Sequence, residues 1–138
     1  MRIKIGDCFL CQRTEFSNLY LEDRNGNKII NSESKEIIKE YIAQTKNPEE
    51  YFAIKDNKLF TVYDKNLKHA FVPYGIEIIG ENAFVGCKKL INIVMPESVC
   101  EINDYAFAFC HNLKYAGIPN RVYSVNENIF QDCNDVTF

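Results

Sequence analysis

Cys8 and Cys11 form a Cys-x-x-Cys pair, the spacing used by zinc sites and by thiol redox centres. Zinc takes four ligands, usually from a second such pair or from two histidines. The only histidines are His69 and His111, and Cys87, Cys110 and Cys133 belong to a periodic series that leaves Cys100 over. No helix start follows Cys8, as a thioredoxin-like pair requires. Cys8 and Cys11 therefore read as half-buried strand residues, with zinc or redox chemistry kept as a lesser alternative. His111 follows Cys110 directly. A Cys–His nucleophile pair needs the imidazole beside the sulfur, yet if Cys110 faces inward its neighbour faces solvent. There is no glycine-rich phosphate loop and no Ser-His-Asp arrangement at familiar spacing. Glu22-Asp23 and Glu49-Glu50 are sequence neighbours, whose side chains point apart, so they read as solvated surface. No residue is assigned to catalysis, a metal or a cofactor.

The elements that would position such groups are set by a repeat. Pro73, Pro96 and Pro119 recur at intervals of 23 residues, as do Phe84, Phe107 and Phe130, and Cys87, Cys110 and Cys133. A fixed period of this length means stacked units, each burying its apolar face on the next. The unit reads Leu-x-x-Ile-x-Met-Pro-x-x-Val-x-x-Ile-x-x-x-Ala-Phe-x-x-Cys-x-x, and a partial copy (Leu67, Ala70, Val72) precedes Pro73. The phenylalanines form an aromatic column, each buried ring worth about 1.5–3 kcal/mol against exposure. The three cysteines form a ladder of small, buried, reduced thiols rather than disulfides. Proline ends each strand because it cannot donate a ladder hydrogen bond. Gly80, Asn103 and Asn126 share a position where positive φ is expected.

This pattern strongly resembles the BspA-like (Treponema pallidum-type) leucine-rich repeats over about residues 67–138, with Ala-Phe-x-x-Cys recurring at the right interval. The resemblance implies a curved solenoid of short parallel strands. It also implies a binding surface for other proteins, in a family whose members are often surface-exposed or secreted. Side chains alternate along a strand, so two columns face outward: His69, Asn92, Tyr115, and Phe71, Val94, Gly117. In leucine-rich repeats this ladder lines the concave face where partners dock. His69, Phe71, Asn92, Val94 and Tyr115 are thus the candidate partner-binding residues; alternatively the N-terminal half folds over this face and covers them. The last copy carries Ile129 for the usual Ala, and the sequence reaches Val136-Thr-Phe138 where another strand should begin. Either that end seals itself, or it meets a partner or a second copy, giving a homo-oligomer through an uncapped C-terminal end.

Residues 1–66 carry no repeat. Arg2 to Ile5 alternates as a strand, and Phe9 to Phe16 is a second candidate. Leu19 to Leu21 and Lys28 to Ile30 flank the hairpin signal Asn25-Gly26, and Tyr51 to Ile54 and Lys58 to Tyr63 flank Asp56-Asn57. Ser34 is placed to cap a helix running to about Gln44, with Ile37, Ile38, Tyr41 and Ile42 on one face and Asn47-Pro48 ending it. The expected class is α+β. A small N-terminal sheet-plus-helix domain or cap, residues 1–66, precedes a short leucine-rich-repeat solenoid with parallel strands, residues 67–138.

Net charge is −3; residues 1–66 balance 11 basic against 11 acidic side chains, and residues 67–138 hold 5 against 8. With no basic stripe, direct nucleic-acid binding is disfavoured. No run approaches the ~18 apolar residues of a membrane span, and the start, with a charge at every second residue, has no signal-peptide core, so a cytoplasmic location is expected. These features lead to a non-enzymatic protein–protein interaction module that binds a protein partner through the solenoid surface. The alternative is a small cytoplasmic inhibitor, of phage or mobile-element type, that blocks a host protein by occlusion.

Overall fold

The computed structural model describes residues 1–14 and 18–137. Among them the chain is mixed helix and strand, with two helices and three sheets, none closed. Strands β1 (Arg2–Ile5) and β2 (Cys8–Cys11) form an antiparallel hairpin. Its two-residue turn places Gly6 at φ +59° in the first central position, the place where a type II′ turn demands glycine. The strand expected over Phe9 to Phe16 is this β2; Phe16 lies outside the described residues. Strands β3 (Tyr20–Glu22) and β4 (Lys28–Ile29) complete the order β1-β2-β3-β4. Between them the Asp23 carboxylate accepts from the N–H groups of Asn25 and Asn27, at 2.8 and 2.9 Å.

Helix α1 spans Ser32–Lys46 and starts earlier than Ser34 suggested. Asn31 is the cap: its side chain accepts from the Ser34 N–H at 2.8 Å, and the Asn31 N–H donates back to Ser34 Oγ at 2.9 Å. Ser34 is thus the inner half of a capping box, at the position usually held by Glu or Gln. Asn47-Pro48 does end the helix, and Pro48 opens a one-turn α2 (Pro48–Tyr51). Ile37, Ile38 and Tyr41 pack inward as expected, with Ser34 and Gln44 buried beside them, whereas Ile42 is 47% exposed and stands outside the expected stripe.

The repeats build two sheets from short rungs. Strands β7 (His69–Phe71), β9 (Asn92–Val94) and β11 (Tyr115–Gly117) pair in parallel, each residue facing its counterpart one repeat away. Strands β8 (Ile78–Ile79) and β10 (Glu101–Ile102) pair in the same way. This second sheet extends upstream. β6 (Lys58–Val62) runs parallel to β8 and antiparallel to β5 (Phe52–Lys55), so this hairpin is hydrogen-bonded into the repeats. Asp56 and Asn57 both take positive φ, as a type I′ turn requires.

Between the sheets lies the main core. Phe84, Phe107 and Phe130 stack with centroids 5.3 and 5.6 Å apart, and Phe52 extends the column at 6.3 Å from Phe84. Cys110 Sγ donates to the Phe84 carbonyl at 3.1 Å and Cys133 Sγ to the Phe107 carbonyl at 3.0 Å, so each thiol meets a carbonyl of the preceding unit. The cysteines are free thiols. Positive φ does not fall at Gly80, Asn103 and Asn126; it falls two residues later, at Asn82 and Tyr105, and again at Gly86, Phe109 and Asp132. Gly80 answers a different need: a Cβ there would stand 3.0 Å from the Leu59 carbonyl oxygen.

Candidate functional site

The outer edge of β7 would expose unpaired backbone groups, a template for unwanted pairing. Two side chains of α1 satisfy it instead. Gln44, 1% exposed, donates from Nε2 to the His69 carbonyl at 2.7 Å and accepts from the Phe71 N–H at 2.7 Å. Glu40 accepts from the His69 N–H at 2.8 Å. Helix α1 therefore replaces the backbone of a missing strand. Burial pushes the Glu40 carboxyl above its ordinary range, which the backbone donors only partly offset.

This arrangement decides where the outward columns sit. His69, Phe71 and Asn92 are buried, at 1%, 6% and 6% exposure; Val94 and Tyr115 are half-buried. Phe71 joins a second apolar cluster with Ile5, Leu10, Leu21 and Ile37, and meets Tyr41 edge-on at 5.1 Å. His69 Nδ1 and Asn92 Nδ2 are 2.8 Å apart, while His69 Nε2 and Asn92 Oδ1 have no partner among the described residues. Burial holds the imidazole below its usual pKa, against the pull of Glu36 and Glu33. Tyr115 donates its hydroxyl to Asp7 at 3.1 Å. The N-terminal half thus lies across the first rungs, and the column His69, Asn92, Tyr115 faces it.

The column Phe71, Val94, Gly117 instead floors an open trough of about 860 Å³. One wall is β1 with Tyr41 and Thr45; the other is the row Pro73, Pro96, Pro119 with Tyr74, Met95 and Ile118. Tyr74 at the rim is 90% exposed. A smaller cavity of about 180 Å³ continues along β1 toward Tyr115 and Thr137, sharing Lys4, Val94 and Gly117 with the first. Lys4 and Tyr74 were not legible as site residues; Gly117 was legible only as the last member of the outward column, the shrinking series Phe, Val, Gly.

The sequence profile of the BspA-type leucine-rich repeat region matches residues 53–137, in six copies. The chain belongs to the BspA-type leucine-rich repeat family. The BspA-type match begins upstream of residue 67, at the hairpin that pairs with β8. No curated protein and no solved structure matches the chain.

The remaining chemical candidates do not converge around the BspA-type units. Cys8 packs against the second apolar cluster, whereas buried Cys11 faces Arg2 and Glu22, because residues three apart on a strand take opposite faces. Burial raises both thiols above their usual pKa, the opposite of an activated redox pair. Among the described residues no cluster of three His, Cys, Asp or Glu is placed to hold a metal. Cys110 is fully buried and His111 exposed, so they form no nucleophile pair. Among the described residues no helix is long and apolar enough to cross a membrane.

Proposed function

We propose that this protein is a non-enzymatic protein-interaction module, in which a short solenoid of stacked rungs presents a docking trough to a protein partner. Leucine-rich repeat membership suggests the class. The observation that carries the reading to a site is the open trough along Phe71, Val94 and Gly117, where apolar side chains and a proline row make up most of the lining and Arg2, Lys4 and Glu97 add charge to it. Interfaces favour aromatic anchors, and Tyr74 stands almost wholly exposed at the rim.

In this reading residues 1–66 serve as the cap of the array at 67–138, with the β5–β6 hairpin as a first rung. The cap also narrows the docking face. His69, Phe71 and Asn92 contribute through packing, and contact falls to the accessible faces of Val94 and Tyr115 and to the bare backbone of Gly117. Thiols that sit as donors to carbonyls are consistent with action in a reducing, cytoplasmic setting.

The test is affinity capture with the full chain and with the double variant Tyr74→Glu, Val94→Glu, after confirming equal thermal unfolding. A stoichiometric protein partner retained by the wild type and weakened at least tenfold by the variant is expected. Absence of any stoichiometric partner would overturn the reading, as would a measured catalytic activity that accounts for the same trough.

A further inference from the structure

β1 is an edge strand: its sheet runs β1-β2-β3-β4, and among the described residues no strand pairs beyond β1. Met1 and Gln12 exchange both backbone hydrogen bonds, at 2.9 and 2.7 Å. Bonded and non-bonded pairs alternate along an antiparallel ladder. Ile3–Leu10 and Ile5–Cys8 are therefore the next bonded pairs, and the N–H and C=O groups of Arg2 and Lys4 point away from β2. That side is the trough, whose wall includes Arg2 and Lys4 and whose floor includes Val94 and Gly117. The trough encloses about 860 Å³, and its floor is open at Gly117, where a Cβ would meet nothing within 4 Å.

We propose that the trough takes an extended segment of a partner protein, added as a fifth strand to the free edge of β1. Two residues of that segment, i and i+2, bond to the backbones of Arg2 and Lys4, as in other cases of strand addition. Side chains alternating with those bonds drop onto Val94 and Gly117. The charge of the wall fixes one more feature. Arg2 is already bonded to Glu22, whereas Lys4 is exposed and makes no ion pair among the described residues. Glu97, beside Pro96 on the other wall, is exposed and of opposite charge, so the segment carries an acidic residue on its β1 side, where it meets Lys4, and none on the side of Glu97. This inference rests on the docking function proposed above and specifies its ligand.

The experiment uses the full chain and a displayed library of random nonapeptides, followed by synthesis of the selected peptides. Selected peptides are expected to alternate apolar and polar residues, with an acid at a constant place. N-methylation at alternate residues should weaken binding at least tenfold, while methylation between them changes it less than threefold. Lys4→Pro removes one outward N–H yet is tolerated on an edge strand; it should lower affinity at least tenfold with unchanged unfolding. Lys4→Glu should do the same, and Gly117→Trp should abolish binding by filling the floor. If no peptide is selected, if binding ignores N-methylation, or if a β1–β1 dimer occupies the edge, the proposal fails. A protein partner captured equally by wild type, Lys4→Pro and Gly117→Trp would leave the interaction module standing and remove this trough as its site.

Discussion

Gly6 and Tyr115 occupy space that only one of them can fill. A Cβ built on Gly6 would lie 2.6 Å from Tyr115 Cδ2, so the tyrosine ring rests directly on the turn backbone. The neighbouring Asp7 accepts from the Tyr115 hydroxyl at 3.1 Å, across 108 positions of sequence. This contact clamps the β1–β2 turn onto the third rung and so fixes the height of β1 above the trough floor. Gly6→Ala suffers twice, from φ +59° and from the ring. It should cost about 2–3 kcal/mol in denaturant unfolding, of which 1–2 kcal/mol is the left-handed backbone. Tyr115→Ala in the same chain should recover the steric part, and a double-mutant cycle reads that coupling.

Gln44 holds both a donor and an acceptor of the β7 edge in the interior. Gln44→Ala leaves the His69 carbonyl and the Phe71 N–H buried without partners. Each orphan costs about 1–3 kcal/mol, so a loss near 3 kcal/mol is expected in chemical unfolding. Gln44→Glu loses the donor and buries a charge, and should be at least as damaging at neutral pH. A loss below about 1 kcal/mol for the alanine variant would mean that the edge is not closed this way.

The phenylalanine column should give a graded series. Phe107 is 0% exposed between two rings, whereas Phe130 is half-buried at the last rung. Phe107→Ala should cost about 3–5 kcal/mol, and Phe130→Ala distinctly less. Equal losses from equilibrium denaturation would contradict this packing order.

His69 predicts a pH dependence with a definite sign. Burial lowers its folded-state pKa below the reference 6.5, while Glu33 and Glu36 pull upward and Lys68 pushes downward. Between the folded value and 6.5 the unfolded chain holds a proton that the folded chain refuses. Stability from this group is therefore full above about 6.5 and falls as pH drops toward the folded value. Glu40, bonded to the His69 N–H, acts oppositely, because burial raises it above 4.5 and the folded chain then favours its protonated form. Melting temperature should decline on acidification below pH 6.5, and His69→Gln should flatten that slope. A slope unchanged in the variant would place its origin elsewhere.

Much of the repeat half was legible because its contacts recur at one sequence interval. Phe84 meets Phe107, and Asn92 pairs with His69 and Tyr115, each near the same separation of 23. A periodic pattern of Pro, Phe and Cys therefore states its own neighbours. Turn details were less legible: positive φ falls at Tyr105 and Phe109, residue types that do not announce it, while the glycine at Gly80 reflects a close approach to Leu59. The helix is visible in outline, but its start is not, because Asn31 and Ser34 are both capable caps and only the reciprocal bonds rank them.

The 23-residue pattern of Pro, Phe and Cys is enough to give the rungs, their order and their parallel pairing, since each unit buries its apolar residues on the next through short-range, repeated contacts. Which face stays open is set by the packing of residues 1–66 against the rungs. That outcome depends on single non-repeating contacts between distant segments: Gln44 on the β7 edge, Tyr41 on Phe71, and Gly6 under Tyr115. No periodicity encodes such contacts, because they depend on how far a hairpin and one helix can fold back over the rungs before sterics stop them.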